Sequence, residues 1–242
     1  MKNKIYLAMP SWDGKIPVNM TSFLISLQKY SKHEIIPTFT SKSVTCNARN
    51  YLLEDFLKSD CSHILWLDDD NRPEDIFFID KMISDNKDIV SALVPSRRPV
   101  KWDKHWLCIL YEWFKETGEH EYLQYFEKPN INGLIEIANC WFGCVLMKKK
   151  VCKDILENFS HPFEFRTVWY FKINSVWVRD DTVDYSLITD WTLRFRRYMA
   201  EDLLFMERAR NLWYKIYADT EVYCNHIWDS NIITVKSHIL NN

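Results

Sequence analysis

The apolar run His63-Ile64-Leu65-Trp66-Leu67 ends abruptly in Asp68-Asp69-Asp70. A segment this short and continuously apolar predicts a strand covered on both faces, since a half-exposed strand would alternate. Side chains alternate along a strand, so Asp68 and Asp70 point to one side as it ends and Asp69 to the other. The acidic cluster therefore stands at the carboxyl end of a buried strand, which is where α/β sheets bind their ligands.

The flanking segments predict such a sheet. Ile5–Pro10 reads as a buried first strand, followed by a turn at Ser11–Gly14 and a helix carrying Met20, Phe23, Leu24 and Leu27. Glu34–Thr40 reads as a second strand, and Asn47 as the cap of a helix with Leu52, Leu53, Phe56 and Leu57. After the acidic turn, Pro73 with Glu74 and Asp75 predicts a helix start, with Ile76, Phe77, Ile79, Met82 and Ile83 on its apolar face. Asp88–Val94 follows as a strand. Strands alternating with helices at this spacing predict an α/β, largely parallel sheet with helices on both faces.

Residues 96–133 and 160–198 carry no assignable pattern. Between them, Leu134–Asn139 and Val145–Met147 read as strands, and a short helix runs from about Lys150 to Asn158. Glu201-Asp202 opens a helix with Leu203, Met206, Ala209 and Leu212 along one side, and Lys215–Val222 with Tyr223–His226 makes a last strand and its exit.

A chain of 242 residues is long enough to bury one substantial core. Its 31 basic and 33 acidic residues give a net charge of −2, which argues against a large footprint for duplex nucleic acid. The apolar segment after Met1-Lys2-Asn3-Lys4 is too short for a secretory signal, and no span of about 20 apolar residues suggests a transmembrane helix. Seven cysteines (46, 61, 108, 140, 144, 152 and 224) form no C-x-x-C pair, which suits reduced thiols in a cytoplasmic protein. The 11 Trp, 12 Tyr and 14 Phe exceed what a core of this size needs, so that a few can serve as a stacking wall for sugars.

Carboxylates sharing one side of a strand end suit a hard divalent cation such as Mg²⁺ or Mn²⁺, held together with substrate phosphates. A solvated acidic turn is the alternative. Arg49, at a helix start, suits a bidentate phosphate contact, or is an exposed helix arginine. Arg97, Arg98 and Lys101 suit phosphate or an anionic acceptor, or a solvated basic turn. Glu201 and Asp202 stand at a helix N-terminus, whose dipole stabilises them and lowers a carboxylate's pKa.

The order of these segments over residues 4–228 resembles the GT-A glycosyltransferases, in particular short family 2-like proteins of bacteria and their viruses. The resemblance rests on the strand ending in Pro10, on Cys46-Asn47-Ala48-Arg49-Asn50, and on Leu65-Trp66-Leu67-Asp68-Asp69-Asp70 as a D-x-D motif. It rests also on Ala200-Glu201-Asp202 with the later Cys224-Asn225-His226, and on Phe142-Gly143-Cys144-Val145-Leu146 before a helix. Glycine is scarce at four residues, and Ala200 replaces the glycine of many relatives. The resemblance implies a single domain, with a nucleotide-sugar-binding half over 1–95, an acceptor and catalytic half over 96–230 and a tail over 231–242. It implies a nucleoside diphosphate sugar as donor, bound by Pro10, Arg49, Asp68, Asp69 and Arg97. A Mn²⁺ or Mg²⁺ ion is implied at Asp70, Asp68 and His226. Asp202 is implied as the general base of an inverting transfer, and Glu201 as the residue that orients the acceptor. The acceptor is left open among a glycan, a small molecule and a modified nucleic acid.

Two other readings fit the residues. A nucleotidyltransferase would share the sheet and the metal but needs a Gly-rich basic loop after the first strand, where this chain has Ser11-Trp12-Asp13-Gly14-Lys15. A non-catalytic glycan-binding module would use the aromatics for sugar and the carboxylates for a structural ion.

Overall fold

A computed structural model describes the backbone of residues 2–11, 14–40, 45–101, 104–107, 109–112, 121–122, 133–173, 176–179, 194–228 and 231–233. Side chains are described over 2–11, 14–40, 45–95, 133–166 and 200–227. The first half runs β1 (Lys4–Pro10), α1 (Val18–Tyr30), β2 (Glu34–Thr40), α2 (Thr45–Lys58), β3 (His63–Leu67), β4 (Asn71–Pro73), α3 (Phe78–Ser84) and β5 (Ile89–Leu93). Four short strands follow, β6 (Pro95–Lys101), β7 (Lys104–Leu107), β8 (Ile109–Glu112) and β9 (Glu121–Tyr122). The second half contains β10 (Leu134–Ile137), β11 (Asn139–Cys140), β12 (Cys144–Lys148), α4 (Lys149–Asn158), β13 (Arg166–Ile173), β14 (Val176–Arg179) and β15 (Arg194–Met199). It closes with α5 (Glu201–Asn211), β16 (Ile216–Trp228) and β17 (Asn231–Ile233).

The central sheet has the order β10-β16-β5-β12-β3-β1-β2, with β4 and β17 added along the far end of β16. β1 pairs in parallel with β2 and β3, and β16 with β5, while β12 is antiparallel to both β3 and β5. β10 is antiparallel to β16. Five of these seven strands thus point one way, and the sheet is largely parallel as the alternation predicts. Strands from residues 96–133 and 160–198, unassigned from sequence, enter small antiparallel sheets: β6 with β7, β8 and β9 joined by β11 from outside those ranges, and β14-β13-β15.

Each buried strand divides its side chains between two cores. Ile5, Leu7 and Met9 of β1 and Leu65 and Leu67 of β3 pack with Met20, Leu24 and Leu27 of α1 and Phe78, Ile79 and Met82 of α3. Tyr6, Ala8, Ile64 and Trp66 turn to the other face, against Leu52, Leu53 and Phe56 of α2, Val151 and Ile155 of α4, and Phe205, Met206 and Ala209 of α5. The sheet is therefore a middle layer between helices. Cys61, Cys140, Cys144, Cys152 and Cys224 are buried free thiols that fill these cores, and Cys46 is half-buried. Cys108 lies outside the described residues.

Two expected helix starts move. Pro73, Glu74 and Asp75 do not open a helix: Asn71–Pro73 forms β4 against Cys224–His226, and the Glu74 N–H continues the ladder to the Tyr223 carbonyl. Asp75 instead accepts the Phe77 N–H at 2.9 Å, and α3 begins at Phe78. Phe77, expected on the apolar face, is exposed, while Phe78 is buried. α2 begins at Thr45, so Asn47 lies within its first turn and does not cap it. Among the described residues, no helix is long and apolar enough to cross a membrane.

Candidate functional site

Because β1, β3, β5 and β16 run parallel, their carboxyl ends meet at one edge, and the acidic turn lies there. The turn is tight: the Asn71 N–H donates to the Asp68 carbonyl at 3.1 Å, and the Asp68 N–H to the Gly143 carbonyl at 3.3 Å. Gly143 sits in a crowded place. A Cβ there would sit 3.1 Å from Asn71 Nδ2 and 3.2 Å from Val94 Cγ1.

Asp68 and Asp70 engage different partners. Asp68 Oδ1 accepts from Arg49 Nη2 at 3.1 Å. Asp70 Oδ1 accepts from buried Asn71 Nδ2 at 2.9 Å, and its Oδ2 lies 3.4 Å from His226 Nε2. β16 delivers His226 here because, after an irregularity between Asp219 and Tyr223, it extends past β5 to pair with β4. His226 Nδ1 is 2.8 Å from the Pro95 carbonyl oxygen. That oxygen only accepts, so Nδ1 carries a hydrogen, and in the neutral ring Nε2 turns a lone pair toward a carboxylate. Such a contact is favourable when a proton or a cation lies between the two atoms. A histidine anchored through its other nitrogen is also how imidazole is ordinarily presented to a metal.

Arg49, expected at a phosphate, is 3% exposed. Its Nη1 donates to Glu201 Oε1 at 2.9 Å, joining residues 152 positions apart, and its guanidinium lies 5.0 Å from the centre of the Phe142 ring. Burial opposes its charge, and the carboxylates of Asp68, Asp202 and Glu201 outweigh that, so the group stays cationic. Below it, Phe142, Trp66, Phe163 and Phe205 make edge and stacked ring contacts, with Phe163 and Phe205 stacked at 4.4 Å. These rings fix the start of α5 against β3. They are packed inside the protein and form no open stacking wall.

Glu201 and Asp202 are both buried at the first turn of α5, and Asp202 Oδ1 accepts the Leu203 N–H at 2.7 Å. The helix terminus was expected to lower an acid's pKa here, but the balance runs the other way. Burial pushes Asp202 up to about 7, with Glu201 and Asp68 adding to the rise and Arg49 and the Leu203 N–H opposing it. Burial also raises Asp68, against the pull of Arg49.

Pro10 ends β1 beside Thr40 of β2, at the same edge of the sheet, and Asp69 is half-buried in the turn. The backbone of Arg97 is in β6, and its side chain lies outside the described residues, as do those of Arg98 and Lys101. Among the described residues, no group of three His, Cys, Asp or Glu side chains is arranged to hold a metal ion. Asp70 and His226 by themselves supply only two of the ligands a divalent cation takes. Sequence reasoning did not single out Asn71, the immediate neighbour that donates to Asp70, or the Pro95 carbonyl, which meets His226 across 131 positions of the chain.

No family model and no curated protein matches the sequence. Among solved structures, the crystal structure of A197 from STIV is similar over 97% of this chain and 94% of its own, with a TM-score of 0.54 and 15% identity. This chain shares that fold. A putative glucose-1-phosphate thymidylyltransferase from Bacillus anthracis, solved in complex with a sucrose, aligns over 65% of this chain and 75% of its own. Its TM-score of 0.31 and 14% identity are too low to bear on function.

Proposed function

We propose that the chain is a GT-A-type glycosyltransferase that moves a sugar from a nucleoside diphosphate to an acceptor hydroxyl with inversion. The observation that carries this reading is Asp202: a buried carboxylate with a pKa raised to about 7, tied through Arg49 and Glu201 to the acidic turn at the ligand-binding edge of the sheet.

In this reading Asp202, ionised, takes the proton of the acceptor hydroxyl as its oxygen attacks the anomeric carbon. The bond from that carbon to the diphosphate oxygen breaks on the opposite face, and the nucleoside diphosphate leaves with the bonding pair. Glu201, held by Arg49, orients the acceptor. Asp68 and Asp69 serve the nucleotide. A divalent cation, Mn²⁺ or Mg²⁺, at Asp70 and His226 would neutralise the charge that grows on the leaving diphosphate. Arg49 acts as a clamp: it keeps three neighbouring carboxylates compatible in one buried place and joins the nucleotide half to the catalytic half.

The test is incubation with UDP-, GDP- and CDP-linked sugars in the presence of Mn²⁺, following release of nucleoside diphosphate. Release from one nucleotide class, abolished in Asp202→Asn, is the expected result. Release from none of them, with water or with a mixed pool of acceptor glycans, contradicts the reading.

A further inference from the structure

β5 and β16 begin side by side, at the edge of the sheet opposite the acidic turn, and the loops leading into them enclose an open pocket of about 430 Å³. Asn86, Lys87 and Asp88 line it from one loop, Trp213 and Tyr214 from the other, and Tyr217 from the start of β16. Both loops follow a helix and carry a left-handed residue, Asn86 at φ 51° and Trp213 at φ 67°. At the end of α5 the Trp213 N–H donates to the Arg210 carbonyl and the Tyr214 N–H to the Ala209 carbonyl, an arrangement whose left-handed position ordinarily holds Gly or Asn. Asn86 follows that habit and Trp213 does not.

Trp213 is also 93% exposed, so folding gains almost nothing from its apolar area. Its neighbours are covered: Lys87 lies 4.6 Å from the centre of the Tyr217 ring, Lys150 lies 5.6 Å from that of Tyr214, and the Tyr214 hydroxyl donates to Asp154. A bulky ring held in an unfavourable backbone conformation beside a pocket, with its faces open, suits a ligand that stacks.

The surrounding charges identify that ligand's class. Asp88 pairs with Lys150 at 2.8 Å and Lys148 at 3.2 Å, and Lys215 pairs with Glu136 at 2.8 Å. Cations already paired in this way do not make a phosphate track, and the other lining cation, Lys87, lies over the Tyr217 ring and is a single charge, not a row of them. The rim is an open indole with an amide, a lysine-paired carboxylate and two separate lysines, Lys87 and Lys215, beside it. That combination matches a sugar ring, whose C–H face packs on an aromatic surface while its hydroxyls donate to and accept from polar groups. We propose that this pocket is a separate binding site for a neutral saccharide chain, with Trp213 as its stacking platform. It is independent of the transfer reading and stands or falls without it.

The test follows the indole N–H signals of the 11 tryptophans by ¹⁵N NMR, with that of Trp213 assigned by its loss in Trp213→Gly. Maltohexaose, cellohexaose and chitohexaose are titrated to millimolar concentration, with decathymidylate as the phosphate-bearing control. At least one saccharide is expected to displace the Trp213 signal progressively, and decathymidylate is not. Trp213→Gly, which relieves the backbone, is expected to melt no lower than the native protein and to bind that saccharide roughly tenfold more weakly by calorimetry. No displacement by any of the three saccharides, displacement by decathymidylate instead, or undiminished binding by Trp213→Gly would overturn the proposal.

Discussion

Two cations in this protein each sit among three carboxylates, and only one of them organises a candidate site. Arg49 lies between Asp68, Glu201 and Asp202; Lys81 of α3 lies beside Asp219, Glu221 and Asp85. Each cluster contains an acid driven upward chiefly by burial, Asp202 to about 7 and Asp85 to about 6. The surroundings differ. The Arg49 side chain is 4% exposed and its cluster lies at the carboxyl ends of the strands, through Asp68 in the same turn as Asp70, whereas the Lys81 side chain is 37% exposed on a helix covering the sheet. A perturbed carboxyl group therefore does not mark a site by itself. It does so when it also stands where the fold admits a ligand.

The comparison breaks most sharply on activity. Asp202→Asn is expected to lower the transfer rate by about 10²- to 10⁴-fold, the usual contribution of a general base, while Asp85→Asn leaves it unchanged. Equal losses in both variants would mean that position in the fold is irrelevant. Stability should separate the two cations next. Arg49→Ala strands buried carboxylates and is expected to cost about 3–5 kcal/mol in urea unfolding; Lys81→Ala is expected to cost less, because its ammonium and Glu221 are partly solvated and only its partner Asp219 is buried.

The pH profile sharpens the same contrast. Asp202 accepts a proton only when ionised, and its pKa is raised to about 7, so the ionised fraction falls as pH falls through that value. The expected kcat/KM is level above about pH 7 and drops about tenfold per unit below it. Asp85→Asn should leave that curve in place, and a shift of the curve in this variant would couple the two clusters.

What could be read from the sequence divides along the range of the interactions. β3 and the acidic turn were legible because a five-residue apolar strand and its abrupt end are local facts. The alternation that predicts a largely parallel sheet is local too. The start of α3 was not legible, since Pro73-Glu74-Asp75 carries every local sign of a helix opening and is overruled by pairing with Cys224–His226, some 150 residues on. Arg49 shows the same limit: its helix was readable, but its partner Glu201 is 152 residues away, and nothing local distinguishes an arginine aimed at phosphate from one clamped between carboxylates. Asp202 itself could be found as an acid at a helix start. The direction of its pKa could not, because the helix terminus and burial act in opposite senses and only the packed structure decides between them.

The central claim, that the acidic edge of the sheet binds a nucleoside diphosphate, is tested most directly by calorimetric titration with UDP, GDP and CDP. Each is run with and without Mn²⁺, on the native chain and on Asp70→Ala. The expected result is Mn²⁺-dependent binding of one of the three, lost in the variant. Absence of binding by all three, or binding that neither Mn²⁺ nor Asp70→Ala alters, would contradict it.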